Sequence, residues 1–169
     1  MKKNNKGFSL IELVVVIAIM IVMTGAIFMS VGSLTSQQVK KAARTIDSLL
    51  TDTKTLNMAK SSAYFMLYKD GDYYYAMTTD GTTKQLASNK TLTVKFLDQG
   101  SSSYTDVADT PIVISYDKAS GAFRERGTKA EGAEPEFTTG EYVKEIIVSA
   151  GNRERKIVLY PRTGKHEVK

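Results

Sequence analysis

Few side chains in this sequence could take part in chemistry, and the most unusual of them is Glu12. It is the single charged residue between Phe8 and Val31, in a stretch otherwise made of apolar and small residues. A carboxylate in an apolar helix is costly in a bilayer, by about 2.5–3.5 kcal/mol at the helix centre and less near its end. We therefore expect another group to compensate the charge of Glu12.

The composition excludes most catalytic and metal centres. The 169 residues include no Cys and one His, so disulfides and catalytic thiols are impossible and a Ser-His-Asp triad would depend on His166. The sequence contains no Gly-rich phosphate loop and no nucleophile motif, so we predict no enzyme activity and no cofactor. The acidic turn at 70–72 is too small for calcium, which takes about six to eight oxygen ligands, so we predict no metal site.

The segment that carries Glu12 is long enough to cross a bilayer. Residues 8–31 form a stretch of 24 residues, and about 20 apolar residues span the hydrocarbon core. Lys2, Lys3 and Lys6 precede it without any acid, which predicts a cytoplasmic N-terminus and an extracytoplasmic remainder. A secretory signal peptide would have a shorter apolar stretch of about 7–15 residues. The sequence therefore predicts a single-pass membrane protein.

The stretch KGFSLIE at residues 6–12 closely resembles the cleavage signal of type IV pilins and pseudopilins. The resemblance implies that a prepilin peptidase cuts after Gly7 and methylates the new N-terminal amine of Phe8. It also implies that Glu12 pairs with that amine of a neighbouring subunit, because burying the two charges together offsets part of the cost of burying either. Loss of the leader would lower the formal charge from +5 to +2.

Beyond the apolar segment, the spacing predicts that the helix continues. Apolar residues recur every three or four positions from Val39 to Leu56, which is typical of an amphipathic helix. No Pro precedes Pro111, so a single helix from about residue 9 to 59 is allowed. We expect the second half of this helix to pack on a globular head through Ile46, Leu49, Leu50 and Leu56.

After residue 62 the pattern changes to short strands. A hairpin at 63–77 should turn at Asp70-Gly71, and further strands are predicted at 92–97, 111–116, 142–149 and 155–160. The polar runs 98–109 and 127–140 have the composition of loops. We predict an α+β, pilin-like fold, with a long N-terminal helix packed on an antiparallel β-sheet or β-sandwich.

The domain organisation follows from these boundaries. The resemblance implies that residues 1–7 form a leader, and we expect 8–31 to be the transmembrane and assembly half of the helix, 32–60 its amphipathic half, and 61–169 a β-rich head. The head is similar to those of the H-type minor pseudopilins of type II secretion and of the FimT-like minor pilins. Four features carry that resemblance: the Ala- and Lys-rich end of the helix, the tyrosine-rich hairpin directly after it, the stretch IVISY at 112–116 with the following Ser-Gly turn, and the closing segment at 155–165.

The predicted function is that of a structural subunit, a minor pilin or pseudopilin of a type IV pilus or a type II secretion-like filament. Its expected partners are other pilins, the prepilin peptidase, the inner-membrane assembly platform and, before assembly, the lipid bilayer. We expect the mature protein in an extracellular or periplasmic filament. One alternative is a membrane-anchored protein that uses the helix only as an anchor. The other is a DNA-binding competence pilin, for which the basic residues are Arg153, Arg155, Lys156, Arg162 and Lys165.

Overall fold

The computed structural model describes residues 9–59, 62–88, 90–129 and 133–169, with residues 25–33 described as backbone only. They form two units, one that ends at Leu34 and one that comprises Thr35–Lys169. The helix is α1 (Leu10–Ala59). The strands are β1 (Tyr64–Asp70), β2 (Tyr73–Thr78), β3 (Thr83–Gln85), β4 (Thr93–Asp98), β5 (Thr105–Asp106), β6 (Ile112–Ser115), β7 (Gly127–Thr128), β8 (Glu136–Phe137), β9 (Val143–Ala150), β10 (Arg153–Tyr160) and β11 (Lys165–Val168).

The strands of the second unit form two antiparallel sheets. Sheet A has the order β3-β2-β1-β6-β7-β8, and sheet B has the order β11-β10-β9-β4-β5. The first hairpin turns at Gly71 as predicted, with a φ of 56° that glycine adopts without strain on a Cβ atom. The predicted α+β class, with a helix followed by antiparallel sheets, is confirmed.

The two segments predicted as loops contain three additional strands, each of two residues. Strand β5 lies within 98–109 and pairs with β4. Strands β7 and β8 lie within 127–140, pair with each other and extend sheet A at one edge. Two residues are too few to show the alternation of apolar and polar positions by which a strand is predicted. The polar composition of these segments therefore predicted loops instead.

A single hydrophobic core joins the second half of α1 to both sheets. Strand β1 contributes Phe65 and Leu67, and β4 contributes Phe96, all of them almost fully buried. Burial of each such side chain contributes roughly 1.5–3 kcal/mol to stability. The buried apolar residues of α1 in this core are Val39, Ala42, Ala43, Ile46, Leu49 and Leu50.

The last buried residue of α1 is Asn57, and not Leu56 as predicted. Leu56 is 46% exposed, whereas Asn57 is only 2% exposed. Asn57 lies seven residues after Leu50 and four after Thr53, so it continues the centre of the same helix face. Leu56 lies at the edge of that face, where sheet contacts no longer cover it.

The Asn57 side chain joins the end of α1 to the start of β1. Its Nδ2 donates hydrogen bonds to the backbone oxygens of Thr53 and Ala63, and its Oδ1 accepts one from the Ala63 N–H at 3.1 Å. The hydroxyl of Ser115 on β6 also donates to the Ala63 oxygen, at 2.7 Å. Asn57 therefore satisfies buried backbone groups that an apolar residue would leave without partners.

Polar contacts also hold β11 against α1. His166 Nε2 lies 3.4 Å from Asp47 Oδ1 and 3.3 Å from Thr51 Oγ1. Lys54 Nζ donates a hydrogen bond of 3.0 Å to the backbone oxygen of Gly164. Burial lowers the pKa of His166; the Asp47 carboxylate opposes this shift and the Lys54 ammonium adds to it.

We expect the stability of the second unit to depend on pH through His166. Its folded pKa lies below the ordinary value of about 6.5, so the folded state favours the neutral ring. This contribution is fully present above about pH 6.5 and is lost as the pH falls from there through the folded pKa. The free energy of unfolding in urea, compared between the natural chain and His166→Gln at pH 7.5 and 5.5, measures it. A difference between the two proteins that stays the same at both pH values would contradict the expectation.

Candidate functional site

The N-terminal end of α1 holds Glu12 in a capping arrangement. The backbone N–H of Ser9 donates a hydrogen bond of 2.9 Å to Glu12 Oε2, and the Leu13 N–H donates to the Ser9 oxygen at 3.2 Å. A carboxylate at the third helical position that accepts from the capping residue is one half of a capping box. Its negative charge also complements the positive end of the helix dipole.

This contact adds a second role for Glu12 to the one predicted from the sequence. We expected another group to compensate the carboxylate, and within this chain the Ser9 N–H supplies a hydrogen bond to it. A Ser followed three residues later by a Glu, as in Ser9 and Glu12, is the sequence signal that predicts such a cap. The pairing of Glu12 with the amine of a neighbouring subunit remains a prediction.

The first unit exposes apolar side chains on every side of the helix. Among its large apolar residues between Leu10 and Met23, the exposed fraction ranges from 47% at Ile17 to 81% at Leu10. Consecutive residues from Leu13 to Ile17 are all about half exposed, so no face of the helix is covered. A helix that is apolar all round requires an apolar environment, either lipid or other helices.

The predicted processing residues and part of the predicted membrane segment lie outside the residues that the structure describes. Gly7, the expected cleavage position, and Phe8, the expected methylation position, are outside the described residues. The predicted membrane segment 8–31 stays a prediction. Within the part of the chain that the structure describes, no helix has an apolar stretch long enough to span a bilayer.

The predicted packing residues of α1 occupy two different environments. Ile46, Leu49 and Leu50 are buried in the core of the second unit. Leu56 instead lines an open groove of about 670 Å³ between the end of α1 and the loop that joins β2 to β3. It therefore does not contribute buried area comparable with that of the other three.

The tyrosine-rich hairpin β1–β2 places its rings on two faces. Tyr74 is buried, and its hydroxyl donates a hydrogen bond of 2.8 Å to Asp106 Oδ1 on β5, which links the two sheets. Burial and this hydrogen bond raise the pKa of Tyr74. On the opposite face, Tyr68 and Tyr75 stack with their ring centroids 5.7 Å apart. The rings thus serve cross-strand packing.

A charged cluster joins the loop after β6 to the end of β4. Arg126 Nε lies 3.2 Å from Asp98 Oδ2, and the same guanidinium pairs with Glu141. Burial raises the pKa of Asp98, and the positive charge of Arg126 opposes that shift. The Arg126 guanidinium therefore pairs with both carboxylates. Across the described ranges, no group of three or more His, Asp or Glu side chains is placed to hold a metal ion.

The basic residues considered for DNA binding are spread along the last two strands and the turn between them. Lys156 on β10 lies 3.6 Å from Glu154, and Lys165 on β11 lies over the ring of Tyr160. Neighbouring contacts within the chain therefore already engage two of these five cations.

Comparison with known proteins identifies the N-terminal segment. Residues 2–28 match a family described as the prokaryotic N-terminal methylation motif. The matched range contains Gly7, Phe8 and Glu12 and ends before the second unit begins at Thr35. No curated protein and no solved structure matches the chain.

Proposed function

The chain carries the prepilin-type cleavage and methylation motif of the type IV pilin and pseudopilin family, and from this premise we propose that it is a filament subunit. Specifically, it is a minor pilin or pseudopilin of a type IV pilus or a type II secretion-like filament. Prepilin peptidase removes residues 1–7 and methylates Phe8. Residues 8–31 then serve as membrane segment and assembly helix, 32–60 as the amphipathic half, and 61–169 as the head.

The observation that carries this proposal is the apolar surface of α1 behind the matched motif. Its side chains from Leu10 to Met23 are exposed on all faces, so a single copy of the chain in water leaves them without partners. A bilayer covers such a surface before assembly, and the corresponding helices of neighbouring subunits cover it in a filament. The same surface thus suits both states of a subunit that leaves the membrane for a filament.

The proposed role is structural and not enzymatic. Family members with this motif act as assembled subunits, and the polar clusters described above are engaged in packing. The partners of the chain are then other pilins, the prepilin peptidase, the assembly platform of the inner membrane and the bilayer. Its N-terminus lies on the cytoplasmic side before assembly, and its head lies outside the membrane.

Glu12 has a specific place in this proposal. In a single chain its carboxylate accepts the Ser9 N–H at the start of α1. In a filament the methylated amine of a neighbouring Phe8 replaces water around this carboxylate, because an unpaired charge among apolar helices is costly. The pair also determines the axial register between neighbouring helices.

We expect Glu12→Val to leave cleavage and membrane insertion intact and to lower filament incorporation by about tenfold or more. Glu12→Gln separates the two roles, since its amide oxygen can still accept the Ser9 N–H but carries no charge. If assembly depends on the charge of Glu12, Glu12→Gln should lower filament incorporation as much as Glu12→Val does.

The measurement is disulfide crosslinking from a cysteine introduced at Leu10, which is specific because the natural chain has no cysteine. A partner pilin carries the second cysteine. Full incorporation of Glu12→Gln together with loss of Glu12→Val would show that capping, and not charge, is what assembly needs. Undiminished crosslinks in both variants would refute the pairing.

A further inference from the structure

A basic groove of about 490 Å³ lies between α1 and the edge strand β3 of sheet A. Its residues include three cations of α1 and one of β3, and none of the described residues that line it is acidic. The long-range pairing of β3 with β2 brings Lys84 next to the helix, although it lies forty residues after Arg44 in the sequence. The lining residues that matter are Gln37, Lys40, Lys41, Arg44, Ser48 and Lys84.

The charges of this basic groove are not neutralised. Within the described ranges, none of its four cations forms an ion pair, whereas Lys90, in the turn between β3 and β4, lies 2.7 Å from Asp72. Lys40 and Arg44 are four residues apart on one helix face, so their like charges repel each other. A bound anion would relieve this repulsion.

The two carboxylates that line the adjoining groove already have other partners. Asp52 belongs to the adjoining groove and accepts a hydrogen bond from Ser48 Oγ at 3.4 Å. Asp80 accepts hydrogen bonds from the Thr78 hydroxyl and from the Thr82 N–H. The four cations of the basic groove therefore remain available to a ligand.

We infer that the basic groove binds the phosphate group of an anionic phospholipid. An arginine can hold two phosphate oxygens with its planar fork, and lysines add mobile positive charges around the same group. The Thr45 hydroxyl is already donated to the Lys41 oxygen at 3.0 Å, so the cations are the main donors. A site with four cations and no acid favours phosphate over a single carboxylate.

A lipid source follows from the place of the groove along the chain, and this step depends on the proposed function. Lys40 comes nine residues after Val31, the end of the predicted membrane segment. Anionic headgroups attract basic segments that closely follow a membrane segment in the chain. Bound lipid would hold the head at the membrane surface before assembly.

The test uses the full chain in neutral maltoside micelles. Short-chain phosphatidylglycerol, short-chain phosphatidylcholine and inorganic phosphate are titrated separately, and the backbone amide shifts of residues 37–48 and Lys84 are followed by NMR. We expect saturable shifts with phosphatidylglycerol at concentrations at least about tenfold lower than with the other two ligands. Equal affinity for inorganic phosphate would overturn the lipid source, and equal affinity for phosphatidylcholine would overturn the anionic site.

A matched pair of variants tests the location of the site. Lys40→Gln/Lys84→Gln removes two charges from the groove, and Lys95→Gln/Lys118→Gln removes two exposed charges elsewhere. We expect the first variant to bind phosphatidylglycerol about tenfold more weakly than the natural chain, and the second to bind it within about twofold of the natural chain. In both variants, the amide signals of residues away from the substitutions should be unchanged.

Two further results would overturn the inference. One is equal weakening in both variants, and the other is tighter binding of a short oligonucleotide than of the lipid. Cleavage at Gly7 and crosslinking from Leu10 are measured separately from lipid binding. A natural chain that is cleaved and crosslinked normally but does not bind phosphatidylglycerol would therefore contradict the lipid inference and leave the proposed function intact.

Discussion

Gly7→Val should abolish processing, so that membranes from cells with an active prepilin peptidase contain only the chain that begins at Met1. Gly7 presents no side chain at the expected scissile bond, whereas Val adds a branched Cβ that restricts the backbone and obstructs close approach. Misplacement of a scissile bond by about 1 Å can cost roughly 100-fold in rate. Mass spectrometry of the extracted protein measures the outcome, since the mature natural chain should begin at methylated Phe8.

The matched control for this prediction is Gly7→Ala, which adds the smallest possible side chain and should retain part of the cleavage. Equal loss in Gly7→Ala and Gly7→Val would mean that backbone freedom, and not side-chain size, is what the peptidase needs. An intact Met1 terminus on the natural chain, in cells whose peptidase processes other substrates, would contradict the proposed processing itself.

Leu49→Asp should unfold the second unit. Leu49 is 2% exposed and lies in the core that joins α1 to both sheets. The substitution removes a buried apolar side chain, which costs about 2–5 kcal/mol, and adds the cost of a buried, unpaired carboxylate. The sum is comparable with the total stability of an ordinary domain, about 5–15 kcal/mol.

Leu56→Asp provides the matched control on the same helix. Leu56 is 46% exposed, so the identical substitution should lower the free energy of unfolding by less than about 1 kcal/mol. Tyrosine fluorescence during urea unfolding of the detergent-solubilised chain measures both, since the first tyrosine is Tyr64 and every tyrosine therefore reports on the second unit. Equal midpoints for the two variants, or an equally stable chain that begins at Ser61, would show that α1 is not part of this core.

Features with a local physical cause could be predicted from the sequence. The apolar run around Glu12 and the motif at 6–12 are continuous in the chain, so their chemistry can be recognised without a fold. The amphipathic period of α1 identified Ile46, Leu49 and Leu50, because helix geometry alone brings residues three and four apart onto one face. The turn at Gly71 was predictable for the same reason, since it depends on four consecutive residues.

Features that depend on distant parts of the chain were decided only by the tertiary structure. Asn57 replaces Leu56 in the buried face because an unpaired backbone group at Ala63, six residues later, needs an amide partner. The basic groove exists because strand pairing at the edge of sheet A brings Lys84 to the cations of α1. Such contacts join residues whose separation follows no local period, and hydrogen-bond satisfaction and strand order determine them.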